Sequence, residues 1–175
     1  MSTRHAGPIL YADDDQDDWL LMELAHRQSR LECPIVFVSD GHDIIQYLGN
    51  GDALSPAIIL LDLNMPRLGG RETLEWLKRQ PSFRRIPVIM LTTSAERTDV
   101  NDMYALGASS YIVKPPSSVG LVGLLDAIEQ YCFGRPPSQE FDSRDTPIPA
   151  ETRAGGGGGG RWPAAQASGA GATGR

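Results

Sequence analysis

Three aspartates in a row, Asp13, Asp14 and Asp15, follow the apolar run Pro8–Ala12. A second run, Ala57–Leu61, leads into Asp62, with Asn64 two residues on. A third, Pro87–Leu91, leads into Thr92 and Thr93, and a fourth, Tyr111–Val113, into Lys114 and Pro115. Brought together, these residues form a group of carboxylates beside an ammonium and a hydroxyl. Two like charges 4 Å apart repel by roughly 4 kcal/mol at an effective dielectric near 20. Three clustered carboxylates therefore need a cation or must hold a proton. Their oxygens suit a hard divalent ion, and Mg²⁺ takes one or two carboxylates, waters and a phosphoryl oxygen. No histidine or cysteine stands at these positions, which disfavours zinc and copper. A metal-held carboxylate beside a lysine and a hydroxyl suits phosphoryl transfer, with the carboxylate as nucleophile and an aspartyl phosphate as product. The cation and Lys114 would then offset charge on the equatorial oxygens. Lysine is scarce, with Lys78 and Lys114 the two in the chain, so its appearance in this group carries some weight.

The elements that would position these residues are legible as a pattern. The four runs, together with Ile35–Val38, have strand length and are rich in Ile, Val, Leu or Tyr. The segment AIILLD is continuously apolar, as in a strand covered on both faces. Helix-like segments lie between the runs: DDWLLMELAHRQSR, HDIIQYL, RETLEWLKRQ, ERTDVNDMYAL and SVGLVGLLDAIEQYC. The acids opening the first suit a helix N-terminus, and Gly107 is placed to stop the fourth. Strand and helix alternate five times, which predicts an α/β fold with a parallel sheet and helices on both faces. The doubly wound, flavodoxin-like (βα)5 arrangement has strand order 2-1-3-4-5 and places its site at the carboxyl ends of the strands, near the switch point between strands 1 and 3. That rim is where Asp13, Asp14, Asp62, Thr92 and Lys114 would meet.

Composition bounds the function. The 175 residues suit one domain with a tail. A net charge of -6 argues against a nucleic-acid or anionic-membrane binder. No apolar run approaches the roughly 18 residues of a spanning helix. MSTRHAGP has no apolar core of a secretory signal. Cys33 and Cys132 lie far apart in no metal spacing and read as buried thiols. The expectation is a cytoplasmic protein. Residues 1–134 carry 18 acidic and 11 basic side chains, and five of those acids fall within residues 13–18, so the acidity is concentrated. Residues 135–175 hold five of the 13 prolines and the run Gly155–Gly160, with Phe141, Ile148 and Trp162 their large apolar residues. This segment reads as a flexible appendix, unable to offset the entropy of ordering.

These motifs resemble the receiver domain of two-component response regulators, the CheY-like family. The resemblance runs from about Pro8 to Phe133 and rests on the acids of ILYADDD, the acceptor of LLDLNMPRLGG, the threonine of PVIMLTT and the run YIVKP. SDGHDIIQYL, IPVIMLTTSAE and YALGASSYIVKP are similar to the stand-alone regulators that serve phytochrome-type histidine kinases. The resemblance implies that Asp62 accepts a phosphoryl group from a kinase phosphohistidine, in a Mg²⁺-dependent phosphorelay. It implies that Asp14 binds Mg²⁺ directly, Asp13 through water, and Asn64 by its backbone carbonyl. Thr92 would move towards the phosphoryl group, Tyr111 would swing inward with it, and Lys114 would pair with the phosphoryl oxygens beside a cis bond to Pro115. Such a protein is a phosphoacceptor rather than an enzyme with a separate substrate. Its output would pass by protein contact, to a partner the sequence does not name, and a homodimer through the fourth helix and fifth strand is implied by analogy. Gly69–Gly70 replace a more usual Asp-Gly, which predicts a weaker cap on the third helix. Pro116 and Thr93 also depart from the family pattern.

Blander readings stand beside these. The first aspartates could be a solvated loop with one helix cap, Asp17 and Asp18 read as capping and dipole partners, and Trp19, Trp76, Met22 and Met90 read as packing. Two other functions fit less well. A haloacid-dehalogenase-type phosphatase wants a second Asp where Asn64 stands, and Asn cannot transfer a proton. A phosphorylation-independent pseudo-receiver scaffold would have lost Asp62, the acid pair or the lysine. Removing residues 135–175 is expected to leave the melting temperature within about a degree or two, because an appendix without core burial adds no stability. Calorimetry on the shortened and full chains checks this, and a large drop would mean that the segment docks.

Overall fold

The computed structural model describes residues 7–93 and 97–133. The expected appendix at 135–175 and the side chain of Cys132 lie outside the described residues. Five strands and five helices alternate: β1 Ile9–Ala12, α1 Gln16–Gln28, β2 Ile35–Val38, α2 Gly41–Gly49, β3 Ile58–Asp62, α3 Gly70–Arg79, β4 Val88–Thr92, α4 Arg97–Ala105, β5 Ser110–Val113 and α5 Ser118–Phe133. All strand pairs are parallel and the sheet order is β2-β1-β3-β4-β5, as the alternation predicts. No helix among the described residues is long and apolar enough to cross a membrane.

Burial follows the strand period of two. From β1, Ile9 and Tyr11 face one core, with Ile58 and Leu60 of β3, Ile89 and Leu91 of β4, Met22 of α1 and Leu125 of α5. Leu10 and Ala12 face the other, with Ile59, Leu61, Val88 and Met90, against Ile44 of α2, Leu74 and Leu77 of α3 and Met103 of α4. Because β1, β3 and β4 are covered on both sides, every residue in them is buried. Continuous apolar runs are the only sequences such strands tolerate without unpaired polar groups. β2 lies at the sheet edge and is only half-buried along its length. Cys33, just before it, is also half-buried rather than enclosed in the core as its residue type suggested.

Helix ends are fixed by particular groups. Asp15 caps α1, its carboxylate accepting the Asp17 N–H at 2.8 Å. Gly107 follows α4 with φ near +99°, a conformation a glycine adopts without steric cost. Gly69 precedes α3 without a side-chain cap, as expected from the Gly-Gly pair. Instead, the Gly70 N–H donates to the Leu63 carbonyl at 3.1 Å, tying α3 to the end of β3. The Lys114–Pro115 bond is trans. The family analogy had implied cis, against the intrinsic preference of X-Pro bonds for trans.

Asp40 joins α2 to the loop after β3. It is fully buried, and its Oδ1 caps α2 by accepting the Asp43 N–H at 3.0 Å. Its Oδ2 pairs with the guanidinium of Arg67, which sits at φ 63° in that loop. The adjacent Gly41 N–H donates to the Leu68 carbonyl at 3.2 Å. Asp43 returns the contact, accepting from the Ser39 hydroxyl at 2.6 Å and backbone N–H at 3.1 Å, which holds its carboxyl below the usual range. Replacing Asp40 by Ala removes both the cap and the pair. Asp40→Ala is expected to destabilise the fold by about 1–2 kcal/mol, seen in urea unfolding as a lower midpoint at unchanged slope.

Candidate functional site

The site forms where the parallel strands end together. In the ladder, Ala12 lies opposite Leu61 and Asp62 opposite Leu91, so the residues following β1 and ending β3 emerge side by side. The Asp13 N–H donates to the Val38 carbonyl at 3.0 Å, which extends strand-like pairing up to the first acid. On the other flank the Lys114 N–H donates to the Thr92 carbonyl at 2.7 Å, fixing the ammonium-bearing residue beside the end of β4.

Asp13, Asp14 and Asp62 each offer one carboxylate oxygen, and these oxygens all lie within 4.8 Å of one another. Asp13 and Asp62 are buried and Asp14 is exposed, so the cluster has a closed floor and an open side. Asp15, adjacent in sequence, turns away to cap α1. The Asp13 carboxylate is heavily used. Its Oδ2 accepts from the Tyr11 hydroxyl at 2.5 Å and from the Lys114 Nζ at 2.6 Å, and its Oδ1 accepts from the Asp15 N–H at 3.0 Å. The Trp19 indole N–H donates to the Asp13 backbone carbonyl at 2.8 Å, pinning the same residue from α1. Asp62 has one oxygen, Oδ2, accepting from the Asn64 N–H at 3.0 Å, and the other, Oδ1, 3.0 Å from the Lys114 Nζ.

Lys114 is the hub. Its Nζ meets Asp13, Asp62 and also Asp18, at 2.8 Å from Oδ2 of the last. Asp18 is a residue the sequence reading assigned only to helix capping and dipole. Acids in a first helical turn carry that role by default, and nothing local in the sequence pairs Asp18 with a lysine 96 positions away. Burial alone would lower the ammonium's pKa, but the bonds to Asp13, Asp18 and Asp62 outweigh it and hold the value above the usual lysine range. Asp62 moves upward. Its burial is the main cause and the Asp13 charge adds to it, against the opposing pull of Lys114. Tyr11 also titrates above its ordinary value, through burial and then its bond to Asp13. Its hydroxyl is therefore a stable donor to the cluster.

Thr92 ends β4 fully buried, and Tyr111 is 2 % exposed within the core cluster that includes Met90 and Met103. The tyrosine ring is thus already turned inward in this structure. Thr93 is exposed. Trp19 and Trp76 pack as expected, against Phe37 and Phe83 respectively, and Met22 and Met90 are core residues.

The donor set fits a hard divalent cation. Three carboxylate oxygens converge, no nitrogen or sulfur donor belongs to the group, and one side is open for water and an incoming oxyanion. Among the described residues, Lys114 pairs with the carboxylates of Asp13, Asp18 and Asp62, and Asp14 stands beside two of them, so the cluster retains negative charge that such a cation would offset.

Comparisons with known proteins show what the chain is similar to. The model of the response regulator receiver domain matches residues 9–126. Response regulator Rcp1 of Synechocystis is 32% identical over 127 residues, covering 70% of this chain and 86% of that protein. The probable methanogenesis regulatory protein FilR2 of Methanothrix harundinacea is 33% identical over 130 residues, covering 72% and 83%. Among solved structures, the phosphorylated cyanobacterial phytochrome response regulator RcpA superposes with a TM-score of 0.65 at 33% identity, covering 72% of this chain and 93% of that one. The Mn²⁺-bound form of Rcp1 superposes at 0.64 and 31%, covering 71% and 93%.

The raised pKa of Asp62 makes a prediction for the cation-free protein. A carboxyl whose folded value is raised destabilises the fold once it is ionised, and that cost is absent below the unfolded value and complete above the folded one. Asp62→Asn is therefore expected to melt higher than wild type at neutral pH in the presence of a chelator. The gain should fade as pH falls through the raised value, and calorimetry across the acid range would detect it.

Proposed function

This chain belongs to the response regulator receiver family, and on that premise we propose that Asp62 is its phosphoacceptor, served by Asp13, Asp14, Asn64, Thr92 and Lys114. The observation that carries the reading is the convergence of Asp13, Asp14 and Asp62 within 4.8 Å at the strand ends, with Lys114 against two of them. The protein is a response regulator that takes its phosphoryl group from a histidine kinase and signals by protein contact. We assign Mg²⁺ as the working cation, which Asp14, Asp62, the Asn64 carbonyl and, through water, Asp13 would hold. When bound it would neutralise the phosphoryl oxygens and fix their orientation.

The chain's own residues do the rest. An Asp62 carboxylate oxygen attacks phosphorus, the bond from phosphorus to the donor nitrogen breaks, and an acyl phosphate forms. The Asn64 N–H on Oδ2 and the Lys114 ammonium on Oδ1 hold the carboxylate in place for that attack. The ammonium then follows the charge outward onto the phosphoryl oxygens. The Thr92 hydroxyl, at the end of β4, turns towards the same group, and Tyr111 keeps its inward position in that state. The acceptor is consumed and regenerated by hydrolysis, so its role is that of a switch rather than of a catalyst acting on a separate substrate. The Asn64 position is where a haloacid-dehalogenase-type phosphatase would need an acid, and here only its backbone N–H addresses Asp62.

Finer assignments follow from the relatives. Similarity to RcpA supports a phytochrome-type histidine kinase as the donor, acting in the cytoplasm. Exposed Val113 on β5 supports a homodimer through the face of the fourth helix and fifth strand. We read residues 1–134 as the receiver domain.

The test is intact mass after incubation with acetyl phosphate and Mg²⁺. One phosphoryl group on wild type, none on Asp62→Asn, and loss of the label when Mg²⁺ is chelated are expected. Equal labelling of both proteins would remove Asp62 from its role.

A further inference from the structure

An ammonium has three N–H donors, and in this structure Lys114 directs them at three different carboxylates. Its Nζ lies 2.6 Å from Asp13 Oδ2, 2.8 Å from Asp18 Oδ2 and 3.0 Å from Asp62 Oδ1. The lysine therefore already serves three anions, by two hydrogen bonds and one ion pair, before any phosphoryl group arrives. Phosphorylation of Asp62 converts its carboxylate into an acyl phosphate and places new anionic oxygens beside Nζ. Lys114 can serve them fully only by loosening an existing pair.

The three partners differ in what release would cost. Asp13 is 1% exposed, and its Oδ2 is also bound by Tyr11, so freeing it from the lysine leaves a buried charge short of a partner. Asp62 is the reacting group itself. The Asp18 side chain is 31% exposed, lies in the first turn of α1, and can exchange the ammonium for water at small cost.

We propose that Asp18 is a positioning residue that competes with the phosphoryl group for Lys114, and so sets how tightly the site holds that group. The proposal rests on the receiver reading and adds a residue to it. Asp18 parks the ammonium over the acceptor in the unmodified state and surrenders it on phosphorylation. Its negative charge also opposes the incoming one. Both effects weaken retention, so removing the charge strengthens it. A residue that merely supported the fold would do the opposite when replaced.

Beryllofluoride, a phosphoryl mimic, gives an equilibrium readout at saturating Mg²⁺ that is independent of donor chemistry. Tryptophan fluorescence reports it, because Trp19 is bonded to the Asp13 carbonyl. Asp18→Asn is expected to lower the half-saturating beryllofluoride concentration by about three- to tenfold. Asp18→Glu, which keeps the charge, should restore most of the wild-type value. In a Lys114→Gln background the Asp18→Asn shift should be clearly smaller than in wild type, because the contested ammonium is gone and only the direct charge repulsion is left; a shift as large as in wild type overturns the competition. Asp18→Ser serves as a second neutral variant should the Asn form fold poorly. A half-saturation that is unchanged or raised in the folded neutral variant overturns the proposal. If wild type neither binds beryllofluoride nor takes phosphate from acetyl phosphate, the receiver reading falls and the proposal with it.

Discussion

The contact between the Lys114 ammonium and the carboxylates of Asp13, Asp18 and Asp62 is the constraint on which the rest of the site depends. Without it, two buried aspartates would face each other across the ends of adjacent strands with neutral donors, from Tyr11, Asp15 and Asn64, but no side-chain cation against them. Lys114 comes from the far edge of the sheet and Asp18 from a helix on one face. The interaction therefore draws together β1, β3, β5 and α1. It also raises the lysine's affinity for its proton, through its bonds to the three carboxylates.

The parallel sheet makes this arrangement possible. Every strand runs the same way, so all five carboxyl ends open onto one rim, and the chain reverses direction of winding between β1 and β3. At that switch point no crossover helix covers the rim. Polar groups can stand there while the residues one step back in each strand remain fully buried. Ala12 and Leu61 are both without solvent exposure, yet the next residues along are Asp13 and Asp62. The boundary between core and site is a single residue wide. The Gly70 N–H bond to Leu63 and the Asp40–Arg67 pair fix the loop that carries Asn64.

Much of this was legible in the sequence because it is written in short-range pattern. A strand covered on both faces has to be a continuous apolar run, so IILLD announces itself, and the residue that ends such a run sits at the rim. Strand ends differ from the expected bounds by a residue, with Asp62 and Thr92 inside β3 and β4 rather than just beyond them. What could not be read depends on the placement of a helix over the sheet. Asp18 lies in the first turn of α1, where an acid is explained by the helix dipole alone. Only the rotation of α1 about its axis brings its carboxylate to Lys114. The Asp40–Arg67 pair is hidden for the same reason, since 27 positions separate a helix cap from a loop residue at positive φ. The half-burial of Cys33 reflects edge position, which composition does not encode.

Charge counting ties the site to its chemistry. Three carboxylates share the Lys114 ammonium, with Asp14 beside them, and an acyl phosphate on Asp62 would add further negative charge at the same point. A divalent cation and a mobile lysine relieve that load in different ways. The cation fits where oxygens already converge, and among the described residues that is at Asp13, Asp14 and Asp62. The lysine can reach whichever anion is strongest at the time, because its stem is flexible and its head carries three donors. A site built from rigid acids and one movable base is therefore suited to report a change in charge. Before modification the base is divided among Asp13, Asp18 and Asp62, and afterwards the balance must shift. The most exposed of the three partners is the one that can be given up at least cost, and that asymmetry turns a static ion-pair cluster into a two-state element.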